Sequence, residues 1–248
     1  MIARSANPGL NKNTFSQVRG FTLSDNLMTL QGTVNKTGIM LFLALLSAMW
    51  GWRQFFVYEA PQISLYLWGG AIGGFIAAMV AIFKPTTAPI VAPVYALLEG
   101  LFLGGISSIM EARFPGIVIQ AVGLTFGTLF ALLFAYKSGL IKATENFKLG
   151  ITAATGGIFL MYMVSFILGF FGTHVPFIHG NGIIGIGISG FIVVIAALNL
   201  VLDFDFIEQG VEQGAPKFME WRAALGLMIT LVWLYIEILH LLSKLRSR

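Results

Sequence analysis

A few acidic residues interrupt the long apolar stretches of this chain. Glu99 lies in the middle of one stretch and Glu237 lies deep in the last, whereas Asp203 closes the stretch before it and Asp205 follows two residues later. A charged side chain within a bilayer costs about 2.5–3.5 kcal/mol on insertion scales, so such residues are candidate functional sites by default. If the stretches cross a membrane, these four acids are the side chains most able to do chemistry.

Three arrangements would stabilise such an acid. It can take up a proton, it can accept hydrogen bonds, or it can coordinate a cation. The available donors are Tyr95, Ser107, Tyr162, Ser165 and Asn199. For Asp203 we expect a helix C-terminus, where the helix dipole opposes a negative charge, so that Lys217, Arg222 or a bound cation would have to compensate. The first two arrangements are structural and the third is functional.

The elements that must position these acids are long apolar segments. The chain has 248 residues, of which 57% are hydrophobic and only 10% charged, whereas soluble domains carry about 25% charged residues. A membrane-spanning helix needs roughly 20 apolar residues. The sequence therefore predicts an all-α polytopic membrane protein, a bundle of seven transmembrane helices spanning Gly38–Val57, Leu65–Phe83, Ile90–Met110, Ile117–Tyr136, Leu149–Phe171, Ile183–Phe204 and Met219–Leu242.

The distribution of Lys and Arg predicts the topology. Residues 1–35 are expected to form a polar cytoplasmic tail, and residues 36–248 the seven-helix transmembrane domain. The excess of basic residues favours a cytoplasmic N-terminus and an outer C-terminus. The basic C-terminus, with Lys244, Arg246 and Arg248, disagrees, and a last helix that dips in and returns would place it inside.

Several function classes are disfavoured by composition and context. The chain has no cysteine and a net charge of only +4, so we expect no disulfide, no thiolate chemistry and no nucleic-acid partner. The stretch Gly185–Gly190 matches the dinucleotide-binding pattern, but that pattern has meaning only between a strand and a helix. We therefore interpret its glycines as packing residues and expect no bound cofactor. Glycine pairs four residues apart, which favour close helix packing, occur at 69/73, 70/74, 100/104 and 123/127.

The last two apolar segments resemble the Bax inhibitor family, also called the transmembrane Bax-inhibitor-motif family. The similar segments are Leu198–Glu208, with Asp203 after a run of aliphatic residues, and Leu234–Leu242, with Glu237 two residues after a tyrosine. The segment Tyr95–Leu101, which contains Glu99, is similar to part of some members, and Asn7–Leu10 and Leu30–Lys36 look like a bacterial branch. The resemblance covers nearly the whole chain.

This resemblance implies a seven-helix protein that leaks calcium across a membrane. It further implies that an aspartate pair between the sixth and seventh helices titrates and gates the pore, which assigns Asp203 and Glu237 as gate and pH sensor, with Glu99 and Asp205 as cation-binding or pore-lining candidates. Glu237 departs from the pattern because it is not an aspartate and lies about 25 Å along its helix from Met219. The partner of Asp203 could therefore instead be Glu220 or Asp205.

Two functions of different kinds remain open at this stage. The leading one is a pH-modulated cation leak in a bacterial plasma membrane, with Ca²⁺ as the transported ion. The alternative is a non-transporting scaffold or regulator that binds another membrane protein, such as a protease. An enzyme is not expected, because Asp203 and Asp205 are too close in sequence to serve as a pair on two helices.

Overall fold

In the computed structural model, residues 27–58, 63–172, 180 and 182–247 are described, and within them the chain is helical without a strand. Seven of its helices are long and apolar enough to cross a membrane, which confirms the predicted fold class. A single turn of 3₁₀ helix, Pro85–Thr87, precedes the third. The helices are α1 (Leu30–Tyr58), α2 (Ile63–Phe83), α3 (Ala88–Arg113), α4 (Ile117–Lys137), α5 (Glu145–Phe170), α6 (Ile183–Glu212) and α7 (Met219–Arg246).

Several helices extend beyond the apolar segments that predict them. The first begins at Leu30 rather than Gly38, and the fifth begins at Glu145, where the side chain of Thr144 accepts a hydrogen bond from the Phe147 amide at 3.3 Å as an N-cap. Helix α6 is extended as far at its other end, because it continues through Asp205 to Glu212. Glu and Gln are good helix formers, so a helix can continue past its apolar segment. Residues 1–26, which hold most of the predicted tail, lie outside the described residues.

The chain divides into two compact units. Of the described residues, one unit contains 27–113 and 203–229, and the other contains 114–202 and 230–247; we call them the first and the second unit. The helices α6 and α7 contribute to both, because the boundaries fall at residues 202/203 and 229/230.

In the first unit, α3 packs against both α1 and α2. Its approach to α1 is close, because Gly100 and Gly104 lie against the backbone of Ala44 and Ala48. The Ser47 hydroxyl on α1 also donates a hydrogen bond to the Leu97 carbonyl at 2.5 Å. In the second unit, an apolar core joins side chains of α5 and α6 with Trp233 of α7; its buried members are Ile151, Ile158, Ile192, Ile195 and Leu202.

The four predicted glycine pairs do not have the same role. A Cβ atom at Gly70 would lie 2.6 Å from the Leu98 carbonyl oxygen, and one at Gly100 or Gly104 would overlap the backbone of α1. By contrast, a Cβ atom at Gly123 or Gly127 would meet nothing within 4 Å. The 100/104 pair therefore makes the close helix contact that such spacing favours, and the 123/127 pair does not make one within the described chain.

The two glycine pairs should respond differently to substitution by alanine. We expect Gly100→Ala to destabilise the protein by about 1–3 kcal/mol, because α1 and α3 must separate to admit the methyl group. Gly123→Ala adds the same group where space is open, and should leave stability unchanged or slightly raised. Thermal unfolding of both variants in one detergent measures the difference, and equal midpoints would contradict the close packing of α1 on α3.

Candidate functional site

Asp203 is buried within α6 rather than placed at its end. The side chain is 1% exposed, and the helix continues to Glu212. The expectation that Asp203 closes the sixth helix is therefore wrong, because the residues that follow remain helical. The helix dipole acts only within about the last turn, so it does not oppose the charge of the Asp203 carboxylate as the sequence predicted. Burial in an apolar span is the feature that makes Asp203 unusual.

Asp205 has a different environment, although it is only two residues away. It is half-buried, and its carboxylate accepts a hydrogen bond from the Gln209 side-chain amide at 2.5 Å, one turn along the same helix. Residues two apart point to different sides of a helix. Asp205 therefore has a polar partner on its own helix, and of the two aspartates Asp203 is the more deeply buried.

Glu99 is buried in the first unit. It is 8% exposed, so its side chain packs among the helices of this unit. Its Oε2 atom lies where a side chain at Gly74 would begin, 2.6 Å from an ideal Cβ position. Gly74 on α2 thus leaves the space that the carboxylate of Glu99 on α3 occupies. Tyr95, one turn earlier on α3, is buried as well and interacts electrostatically with Glu99.

Glu237 lies in the second unit and is held by two donors. Its Oε1 atom accepts hydrogen bonds from the Tyr162 hydroxyl of α5 at 2.9 Å and from the Trp233 indole of α7 at 3.1 Å. Only 4% of the residue is exposed. Of the donors named from sequence, Tyr162 is thus used here, whereas Asn199 donates to Thr155 and to the Ile195 carbonyl. These two aromatic donors fix the position of the carboxylate.

A fourth buried acid, Glu220, joins the beginnings of α1 and α7 in the first unit. Its Oε1 atom accepts hydrogen bonds from both the amide and the hydroxyl of Thr29 at 2.9 Å, and its Oε2 atom forms an ion pair with Lys36. The ammonium of Lys36 lies 5.6 Å from the ring centroid of Trp221. A Cβ atom at Gly32 would overlap the Glu220 carboxylate. The carboxylate of Glu220 is therefore engaged with Lys36 and Thr29, and its pairing with Asp203 remains a prediction.

A buried arginine caps the end of α2. The Arg222 side chain, in a residue only 4% exposed, donates to the carbonyl of Ala81 and, at 3.0 Å, to that of Ile82. Carbonyls in the last turn of a helix lack intrahelical donors, so a guanidinium placed there satisfies them. Arg222 thus fixes the position of α7 against the end of α2.

The predicted site residues are divided between the two units. Glu99, Asp203 and Asp205 belong to the first unit and Glu237 to the second. The pairing of Asp203 with Glu237 remains a prediction. Within the residues that the structure describes, no three His, Asp or Glu side chains are grouped so as to hold a metal ion.

Sequence reasoning missed the contacts that basic residues make near helix ends. Lys148 and Arg222 are buried and Lys36 and Lys244 are half-buried, and all four have polar partners. Arg222 was named from sequence, but as a counter-charge for Asp203 and not as a donor to the end of α2. The four residues lie close to the ends of apolar segments, where a long basic side chain is usually assumed to reach water. An acid three or four residues away on the same helix, such as Glu145 before Lys148, is a sequence signal for such a contact. Lys36 and Glu220 are far apart in sequence, so no signal of this kind predicts their pairing.

Comparison with known protein families identifies the family of the chain. The family model described as Bax inhibitor 1 like matches residues 5–247, which is nearly the whole chain. No curated protein and no solved structure matches it. The match agrees with the motifs around Asp203 and Glu237 and with the seven apolar helices. The chain is therefore an integral membrane protein that belongs to the Bax inhibitor 1-like family.

Proposed function

We propose that the protein is a pH-modulated cation leak, with Ca²⁺ as the main transported ion. The observation that carries this proposal is the burial of carboxylates in apolar, membrane-length helices: Asp203 is 1%, Glu237 4% and Glu99 8% exposed. A carboxylate in such a place is stabilised by a proton or by a cation, and the two compete for it. Competition of this kind makes cation passage depend on pH.

Each buried carboxylate has a distinct role in this proposal. Asp203 titrates and acts as the gate, with Glu237 as the second gate residue, and Glu99 and Asp205 bind the passing cation. Oxygen ligands suit Ca²⁺, which takes six to eight of them, so backbone carbonyls and water would complete its shell. The protein lies in a bacterial plasma membrane with its N-terminus in the cytoplasm, and no enzymatic step is involved.

Purified protein in liposomes containing a Ca²⁺-sensitive dye tests the proposal. We expect Ca²⁺ entry that protein-free liposomes lack. If no cation enters, the protein is better explained as a scaffold or regulator of another membrane protein, and the leak is rejected.

Glu99→Gln is the variant that tests the cation-binding role. The amide has nearly the same shape as the carboxyl but carries no charge, so we expect Ca²⁺ entry to fall about tenfold or more while the fold is kept. Glu212→Gln removes an exposed acid at the end of α6 and should leave entry unchanged. Equal entry in both variants would limit Glu99 to a structural role.

A further inference from the structure

The last turn of α7 carries two basic residues that are bound to the second unit in different ways. The Lys244 ammonium donates a hydrogen bond to the Ser189 hydroxyl at 2.8 Å and lies 3.4 Å from the Gly185 carbonyl oxygen, both on α6. Ser189 is only 3% exposed. Arg246 instead donates to the Phe114 and Pro115 carbonyls and to the Gln120 side chain, and it is exposed. Of these two residues, Lys244 is the one whose charged group binds a buried side chain, that of Ser189.

The buried acid nearest to Lys244 along α7 is Glu237. The two residues are seven apart and therefore lie on the same face of the helix. Side chains of a helix lean toward its N-terminus, so the ammonium of Lys244 is directed back toward Glu237. Opposite charges on one face of a helix attract each other. The hydrogen bonds to Ser189 and Gly185 fix the ammonium against α6.

We infer that Lys244 is a built-in counter-charge that competes with a transported cation for the carboxylate of Glu237. The inference rests on the proposed leak and names a residue that sets its cation affinity. A fixed positive charge repels a divalent ion about twice as strongly as a monovalent one at the same distance. Lys244 thus limits the occupancy of Glu237 by Ca²⁺ and reduces the preference for Ca²⁺ over Na⁺.

Removing the charge at residue 244 tests this competition. K244Q removes the charge but keeps a hydrogen-bond donor for Ser189, whereas K244M removes both the charge and the donor. Comparison of the two variants separates the effect of the charge from that of the hydrogen bond. We expect both variants to half-saturate at about tenfold lower Ca²⁺ than wild type, in liposome flux and in calorimetric titration of the purified protein with Ca²⁺. R246Q, which removes the other charge of the same turn, should match wild type.

The double variant with E237Q identifies the carboxylate involved. If Lys244 acts through Glu237, then K244Q has no effect on Ca²⁺ affinity in an E237Q background, because the two residues are coupled. An unchanged affinity in K244Q and K244M, or an equal gain in R246Q, overturns the inference while leaving wild-type flux intact. Absence of flux from wild type rejects the leak itself, and the calorimetric titration then still decides whether Lys244 and Ca²⁺ compete.

Discussion

Ca²⁺ entry through the Asp203→Asn variant is expected to be independent of pH. Asparagine has the shape of a protonated aspartate and cannot lose the proton, so the variant should remain at the level that wild type reaches at acidic pH. The loss of pH dependence should be large, because Asp203 is 1% exposed within an apolar helix and its charge has little water to stabilise it. The measurement is dye-reported flux into liposomes over a series of pH values.

Two controls sharpen this result. Glu212→Gln removes an exposed acid from the same helix and should keep the full pH response. Asp205→Asn removes a proposed cation ligand, so it should lower Ca²⁺ entry but keep its dependence on pH, because Asp203 is still present. If Asp203→Asn responds to pH as wild type does, the titrating group is another acid, and Glu99 becomes the first candidate.

A large loss of stability is expected from Glu220→Ala. This residue is 0% exposed. Its carboxylate, at the beginning of α7, binds Thr29 and Lys36 at the beginning of α1. Removing one partner of a buried ion pair costs about 3–5 kcal/mol. Here Lys36, whose side chain is 16% exposed, would lose its partner where little water can replace it. Thermal unfolding in detergent should show a midpoint lowered well beyond that of Gly100→Ala.

Glu145, an exposed acid paired with a buried lysine, provides the comparison for Glu220. Glu145 lies 3.8 Å from the Lys148 ammonium, which is too far for a hydrogen bond, and 58% of its side chain is exposed. Water stabilises this carboxylate and weakens its attraction for Lys148, so Glu145→Ala should leave the midpoint nearly unchanged. A Lys36→Met, Glu220→Gln double variant should recover part of the loss, because it removes both charges. If Glu220→Ala unfolds at the same temperature as Glu145→Ala, the Glu220 cluster does not stabilise the fold.

The apolar segments predicted the helices well, because hydrophobic length is a direct requirement of the bilayer. All seven segments fall within or nearly within the helices observed, and α4, α6 and α7 begin at the predicted residues Ile117, Ile183 and Met219. The ends were predicted less well, since hydropathy does not detect polar residues that continue a helix. The extension of α6 to Glu212 is the clearest example, and it removes the helix-end explanation for Asp203.

The contacts of the acids could be predicted only in part. Tyr162 was named as a donor for a buried acid, and it binds Glu237. The Lys36–Glu220 pair could not be predicted, because the residues are 184 positions apart and their pairing depends on tertiary packing. Likewise, the spacing of the glycine pairs does not distinguish Gly100, which faces α1, from Gly123, which has open space beside it.

The most direct test of the cation leak is Ca²⁺ entry into liposomes containing the wild-type protein, measured at about pH 5.5 and about pH 7.5, because a proton and a cation compete for a buried carboxylate. We expect entry above that of protein-free liposomes, and a severalfold difference between the two pH values. Entry that is the same at both values would contradict control by a titrating acid, and entry no greater than that of protein-free liposomes would contradict the leak.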